Sequence, residues 1–168
     1  MSHEQRRRAG IILAPLAHEP VPDVCPFCTV VAGGESEWNA QTDIVFRDDE
    51  TTAFMCAKWW DAAPAHVLVV PNDHYENVHA ITDTALSAVY RTAKLIAAAI
   101  RSTYDCEGTS MRQHNGAGGG QDVPHFHVHV FPRRVGDRLY ERNGETKRTA
   151  ADERAPFAKR LRTAVTSS

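Results

Sequence analysis

The stretch His125-Phe126-His127-Val128-His129-Val130-Phe131 alternates strictly between imidazole and apolar side chains. Successive side chains of a β-strand point to opposite faces. The three histidines therefore share one face, and Phe126, Val128 and Val130 share the other, which suits packing on a core. Pro132 is expected to end the strand. A rigid row of imidazoles backed by an apolar layer can bind metal, accept protons or attack phosphorus. The plain alternative is a solvated strand face, and three histidines in register are hard to reach that way.

Upstream lies a glycine-rich loop, Asn115-Gly-Ala-Gly-Gly-Gly120, followed by Gln121. Glycines without a Cβ let backbone N–H groups crowd an anion, and Gln121 adds a side-chain amide for a phosphate oxygen. Such a loop is weak evidence alone and gains weight from its place before the histidine row. Further upstream, Thr82 or Asp83 can cap a helix. Leu86, Val89, Ala93, Ile96, Ile100 and Tyr104 then recur at spacings of three and four, so one apolar face runs over 83–105, with Gly108 as its stop. Short strands are expected over 44–47, 52–56, 66–70 and 109–113. Pro156 can open a short terminal helix over 156–165, at the first position, where a missing N–H costs nothing. Strands, one long helix and more strands predict an α+β fold with a five-stranded, mostly antiparallel sheet.

A chain of 168 residues fits one domain. Residues 1–22 read as an extension and 23–168 as a single domain. Net charge is -2, so no global basic field favours a nucleic-acid partner and any phosphate recognition must be local. No apolar run approaches the ~20 residues that span a bilayer. Arg6-Arg7-Arg8 before Ala9–Ala17 imitates a signal peptide, but Pro15 interrupts the stretch and no small-residue cleavage site follows. A cytoplasmic location and no membrane partner are expected. Cys25 and Cys28 form a C-x-x-C, while Cys56 and Cys106 stand alone. Four cysteines without an export signal do not suggest a disulfide framework. The C-x-x-C can be a redox pair, a pair of buried thiols or half of a zinc knuckle. Nine histidines are too many for composition to choose the other ligands.

The His-φ-His-φ-His-φ-φ pattern (φ, apolar) after Gly120-Gln121 resembles the histidine triad family of nucleotide hydrolases and transferases. Cys25-Pro-Phe-Cys28, Ala53-Phe54, Pro64-Ala-His66-Val-Leu-Val-Val-Pro71 and His74 follow the order of its bacterial, zinc-containing members. The resemblance covers about residues 23–165. It implies a HIT-like fold with a long helix and a short C-terminal helix. It also implies that His127 is the nucleophile toward a nucleotide α-phosphorus, with a backbone carbonyl holding its Nδ1–H. His129 orients that nucleophile beside the phosphate, and Gln121 completes the catalytic set. His66, His114, Asn115, Gly119, Gly120, Gln121, Asp122 and His129 fall at nucleotide-binding positions. The ligand set implied for a structural zinc is Cys25, Cys28, His74 and His125. The expected ligand is a purine nucleotide or nucleotide conjugate, and the expected assembly a homodimer.

Three departures from the family pattern stand out. The stretch Phe54–Asp61 replaces the acid that usually grips the ribose and carries Trp59 and Trp60, which can stack on a base or cover the core. Asp122 stands where a Ser or Thr is usual, and its charge would repel a phosphate unless it is paired. His114 replaces a common Asn or Gln. His66 has two readings, one beside the phosphate and one as a buried structural imidazole. The leading reading is a hydrolase or transferase of nucleoside phosphoramidates or adenylated small molecules. A dinucleoside polyphosphate hydrolase, a nucleotide-binding regulator with little turnover and a metal-stabilised interaction protein are the alternatives.

Overall fold

The computed structural model describes residues 25–141 and 146–166; the extension expected over 1–22 lies outside them. Helix α1 (Pro26–Val31) leads through a 3₁₀ turn at Gln41–Asp43 into β1 (Ile44–Arg47) and β2 (Thr51–Met55). The short β3 (Lys58–Trp60) and β4 (Val67–Pro71) follow, then α2 (Asp83–Thr103), β5 (Gly108–Gln113), β6 (Val128–Arg133), β7 (Thr146–Arg148) and α3 (Ala151–Thr166). Five strands form one sheet in the order β1-β2-β4-β6-β5, and every pairing in it is antiparallel. The α+β expectation is met.

The two sheet faces have different jobs. Ala53, Met55, Val67, Val69, Val128 and Val130 point to one face and pack, with Phe126, under Val89, Ala93, Ile96 and Ile100 of α2. These are helix positions picked out by the spacing of apolar residues, and the Thr82 hydroxyl accepts the Ala85 N–H at 3.2 Å as the cap. Phe54, Leu68 and Val70 point to the other face and pack with Cys25, Phe27 and Val30 of the α1 segment. The histidine face is therefore the one that α2 leaves clear.

Three expectations need correction. The ladder of β6 starts at Val128 rather than His125 and runs through Pro132 to Arg133. Ahead of it the backbone is held otherwise: His125 donates to the Val123 carbonyl and Phe126 to that of Tyr75. Pro132 is tolerated because β4 pairs β6 only up to Val130, so the proline sits where the strand has one neighbour. Finally, the terminal helix begins at Ala151, and Pro156 lies inside it. The first turn is fixed by tertiary contacts instead. Arg154, almost fully buried, donates to both Asp43 carboxylate oxygens at 2.8 and 2.6 Å, to the Trp38 carbonyl at 3.0 Å and to the Thr149 carbonyl. A two-stranded sheet, β3 against β7, is a further element that sequence reading passed over.

Candidate functional site

Two clusters grow from the histidine stretch. In the first, His125 meets the α1 cysteines. Its Nδ1 lies 3.5 Å from the Sγ of both Cys25 and Cys28, and His74 Nδ1 lies 3.3 Å from Cys28 Sγ. All four ligand atoms fall within 4.8 Å of one another. Tetrahedral bonds of ~2.3 Å to sulfur and ~2.0 Å to nitrogen need donor separations of this order. His125 Nε2–H donates to the Pro71 carbonyl at 3.1 Å, which leaves Nδ1 as the ligating atom, the usual support for a metal-bound imidazole. Burial, with Cys25 beside it, pushes the Cys28 thiol up to about 12, and a bound dication would supply the charge that thiolates need. The Cys₂His₂ group is thus positioned to hold a metal, and its closed set of protein donors suits a structural ion.

The second cluster begins two residues on. His127 Nδ1–H donates to the His125 carbonyl at 2.7 Å, which puts the lone pair on Nε2. Burial lowers the His127 pKa, against the opposing pull of that carbonyl, so the ring stays neutral. His129 follows with ring centroids 5.0 Å from His127 and 5.8 Å from His114. Burial first, then its neighbouring imidazoles and Arg112, lowers the His129 pKa well below the ordinary value. Both rings line a cleft of about 800 Å³, with Phe27, Trp38, Leu68 and Trp60 as apolar walls and Gly118–Gly120 as a rim.

The remaining expected residues divide. His114 lines the cleft with Nδ1 2.6 Å from the Gly119 carbonyl, and Gly120 holds φ +78, a turn that favours glycine. Asp122 also lines it, but its exposed carboxylate is 3.5 Å from the Lys58 ammonium, which offsets its charge. Gln121 is placed differently from the expectation. Its amide donates to the Glu76 and Val123 carbonyls at 2.6 and 3.0 Å and accepts the Gly116 N–H at 2.7 Å. These contacts brace the loop. The N–H groups of Gly119, Gly120 and Gln121 are likewise spent on loop carbonyls. Asn115 accepts the Val78 N–H at 2.8 Å and pairs with Gln113, so it too holds backbone.

His66 is fully buried, stacks on Phe131 at 4.5 Å, and neither ring nitrogen has a partner among the described residues. Burial, then Arg112 and His127, pushes its pKa down to about 3. It touches the site through His129, 5.4 Å away between centroids. The tryptophan pair splits: Trp59 is core, edge-on to Phe157, and Trp60 lines the cleft beside His129. Sequence reading missed Arg112, which is opposite His129 in the β5·β6 ladder and lines the same cleft. The alternation of β5 carried that signal, but only the register between strands makes it readable.

A family model described as the HIT domain matches residues 37–136, more than half of the chain, and the chain belongs to that family. The "Protein hit" of Bacillus subtilis is 32% identical over 109 residues, 65% of this chain and 70% of its own. A bis(5'-nucleosyl)-tetraphosphatase (asymmetrical) of Schizosaccharomyces pombe is 26% identical over 102 residues, 61% of this chain and 55% of its own. The crystal structure of a Zn-bound histidine triad family protein from Mycobacterium smegmatis is similar in fold. It gives a TM-score of 0.71 at 23% identity, covering 86% of this chain and 95% of that one.

Proposed function

We propose that the chain hydrolyses or transfers at the α-phosphorus of a nucleotide conjugate through a nucleotidyl group on His127. The observation that carries this reading is the 2.7 Å bond from His127 Nδ1 to the His125 carbonyl in a ring that lines the cleft. Nε2 attacks the α-phosphorus with its lone pair, and the bond to the leaving group breaks with its electrons. Water then attacks the same phosphorus and loses a proton, the P–N bond breaks, and its electrons return to Nε2. The S. pombe relative named for tetraphosphatase activity supports a phosphate leaving group, and nucleoside phosphoramidates remain within the same chemistry. Cys25, Cys28, His74 and His125 would hold a structural zinc, whose contribution is to fix the carbonyl that orients His127. A homodimer binding a purine nucleotide is part of this reading.

The test is turnover of a fluorogenic adenosine phosphoramidate and of diadenosine triphosphate. Wild type is expected to turn over at least one of them, and His127→Ala neither, with a fall of several orders of magnitude, because the two-step path itself is removed. Nucleotide binding should survive in the variant. Near-normal turnover by His127→Ala would refute the assignment. Nucleotide binding by wild type without turnover of either compound would favour the regulator reading.

A further inference from the structure

One row of residues crosses the sheet on the site face. Phe54 is opposite Leu68, Leu68 opposite His129, and His129 opposite Arg112. Adjacent strands are ~4.8 Å apart, so each step is one strand spacing. The row runs from apolar through imidazole to cation, and the cleft inherits that polarity. Phe27 and Leu68 pack together at one end, and Arg112 lies across His129 from Leu68.

Arg112 is the uncompensated cation of this cleft. The other basic lining residue, Lys58, has Asp122 as its partner. Among the described residues no carboxylate pairs with Arg112, and its Nη1 is buried with no hydrogen-bond partner. A buried donor on a charged group is costly to leave unmade, and a water or a bound anion completes it. The guanidinium has an aromatic neighbour. Its Cζ lies 5.4 Å from the centre of the Tyr140 ring, whose place is shared by Arg133 at 4.6 Å. Arg133 is itself tied to Asp137 by two bonds of 2.7 Å. Arg112 thus lies over a half-exposed aromatic ring with its charge unspent. A planar fork of donors matches the oxygens of a phosphate.

We propose that Arg112 is a specificity-determining residue that receives the phosphate next to the α-phosphate, so that the site favours a phosphate leaving group over an amine. The proposal rests on the reading of His127 as the nucleophile. With the nucleoside against the apolar end and the α-phosphorus at His127, the phosphate chain continues toward Arg112. As the P–O bond breaks, its electrons pass to the leaving phosphate oxygen, and the guanidinium stabilises that negative charge without any proton transfer. An amine leaving group offers Arg112 no anion and must gain a proton to depart.

The experiment compares kcat/KM for diadenosine triphosphate and adenosine 5'-phosphoramidate in wild type, Arg112→Gln and Arg112→Lys. Removing one charged partner of a phosphate should cost diadenosine triphosphate roughly 10- to 100-fold. The phosphoramidate should lose by a clearly smaller factor, with Arg112→Lys between wild type and Arg112→Gln on diadenosine triphosphate. Equal losses on both substrates, or no loss on either, would overturn the proposal. Inhibition of wild type gives a second readout that needs no variant to fold. ADP should compete with the phosphoramidate at least ~10-fold more tightly than AMP, and equal inhibition would contradict the subsite. If wild type turns over neither compound, the nucleophile reading fails, and calorimetric titration of ADP and AMP into wild type and Arg112→Gln still decides Arg112. A wild-type preference for ADP that the variant loses supports the subsite, and its absence overturns it.

Discussion

His125 and His127 are the same residue type two positions apart, both buried, and the structure gives them opposite tautomers. His125 gives its Nε2–H to the Pro71 carbonyl and keeps Nδ1 for the cysteine cluster. His127 gives its Nδ1–H to the His125 carbonyl and keeps Nε2 for the cleft. The chemistry of each ring is chosen by where its other nitrogen finds a carbonyl. The two clusters are also in series, because the carbonyl that orients His127 belongs to a residue of the Cys₂His₂ group. One region is a closed knot of four donors, and the other is an open cleft bordered by it.

If the knot is structural, breaking it should act on folding first. Cys25→Ser, or exhaustive chelation, should cost several kcal/mol, since metal-binding free energy is folding free energy. Thermal unfolding with and without added zinc measures this. A chain whose stability is indifferent to chelator and to Cys25→Ser would remove the knot from the account. Because the His125 carbonyl lies on the path, surviving folded protein should also lose turnover.

A smaller effect is expected at an ion pair behind the cleft wall, which it reaches through the Trp38 carbonyl and the Asn39 amide. Asp43 and Arg154 form a buried ion pair at 2.6 Å, with side-chain exposures of 0% and 3%. Asp43→Asn strands a buried guanidinium and should destabilise by about 3–5 kcal/mol. The nucleotide affinity of the folded fraction should fall far less than the stability, because the pair touches the cleft only through the backbone of Trp38 and the amide of Asn39, as read by denaturant unfolding and calorimetric titration. An affinity loss parallel to the stability loss would mean that the open region is not independent of this pair.

The weakest effect is a pH dependence. His66 titrates near 6.5 when unfolded and is pushed down to about 3 when folded. Between those values the unfolded chain binds a proton that the folded chain excludes. Stability from this group is therefore complete above pH ~6.5 and falls as the pH drops toward 3. Burial of His129 and His127 acts in the same direction. Urea midpoints between pH 7 and 5 should decline in wild type, less steeply in His66→Leu, both saturated with zinc. A midpoint that rises on acidification would contradict the buried, neutral assignment.

The sequence exposed these features unevenly. The period-two pattern of 125–131 disclosed that His127 and His129 line the cleft, whereas His125, ahead of the ladder that starts at Val128, turns to the cysteines instead. The apolar spacing of α2 was legible because it is a property of one helix alone. Cys25 and Cys28 stood out as a pair, but selecting His74 and His125 among nine histidines needed the family resemblance. What could not be read depended on register or on distant partners. Arg112 enters the site because β5 pairs with β6, and α3 starts early because Arg154 reaches Asp43. Gln121 turned inward because the loop has carbonyls and an N–H that need partners, a demand invisible before the loop is folded.

The claim that the two rings differ by tautomer, with His127 Nε2 as the attacking atom, is tested most directly by trapping. The protein is denatured while incubated with a labelled adenosine phosphoramidate or diadenosine triphosphate, and its peptides are sequenced by mass spectrometry. The account predicts an acid-labile adenylyl group on His127 alone, formed and lost at rates compatible with turnover. Label on His125, His129 or any other residue, or steady turnover with no labelled residue, would contradict it.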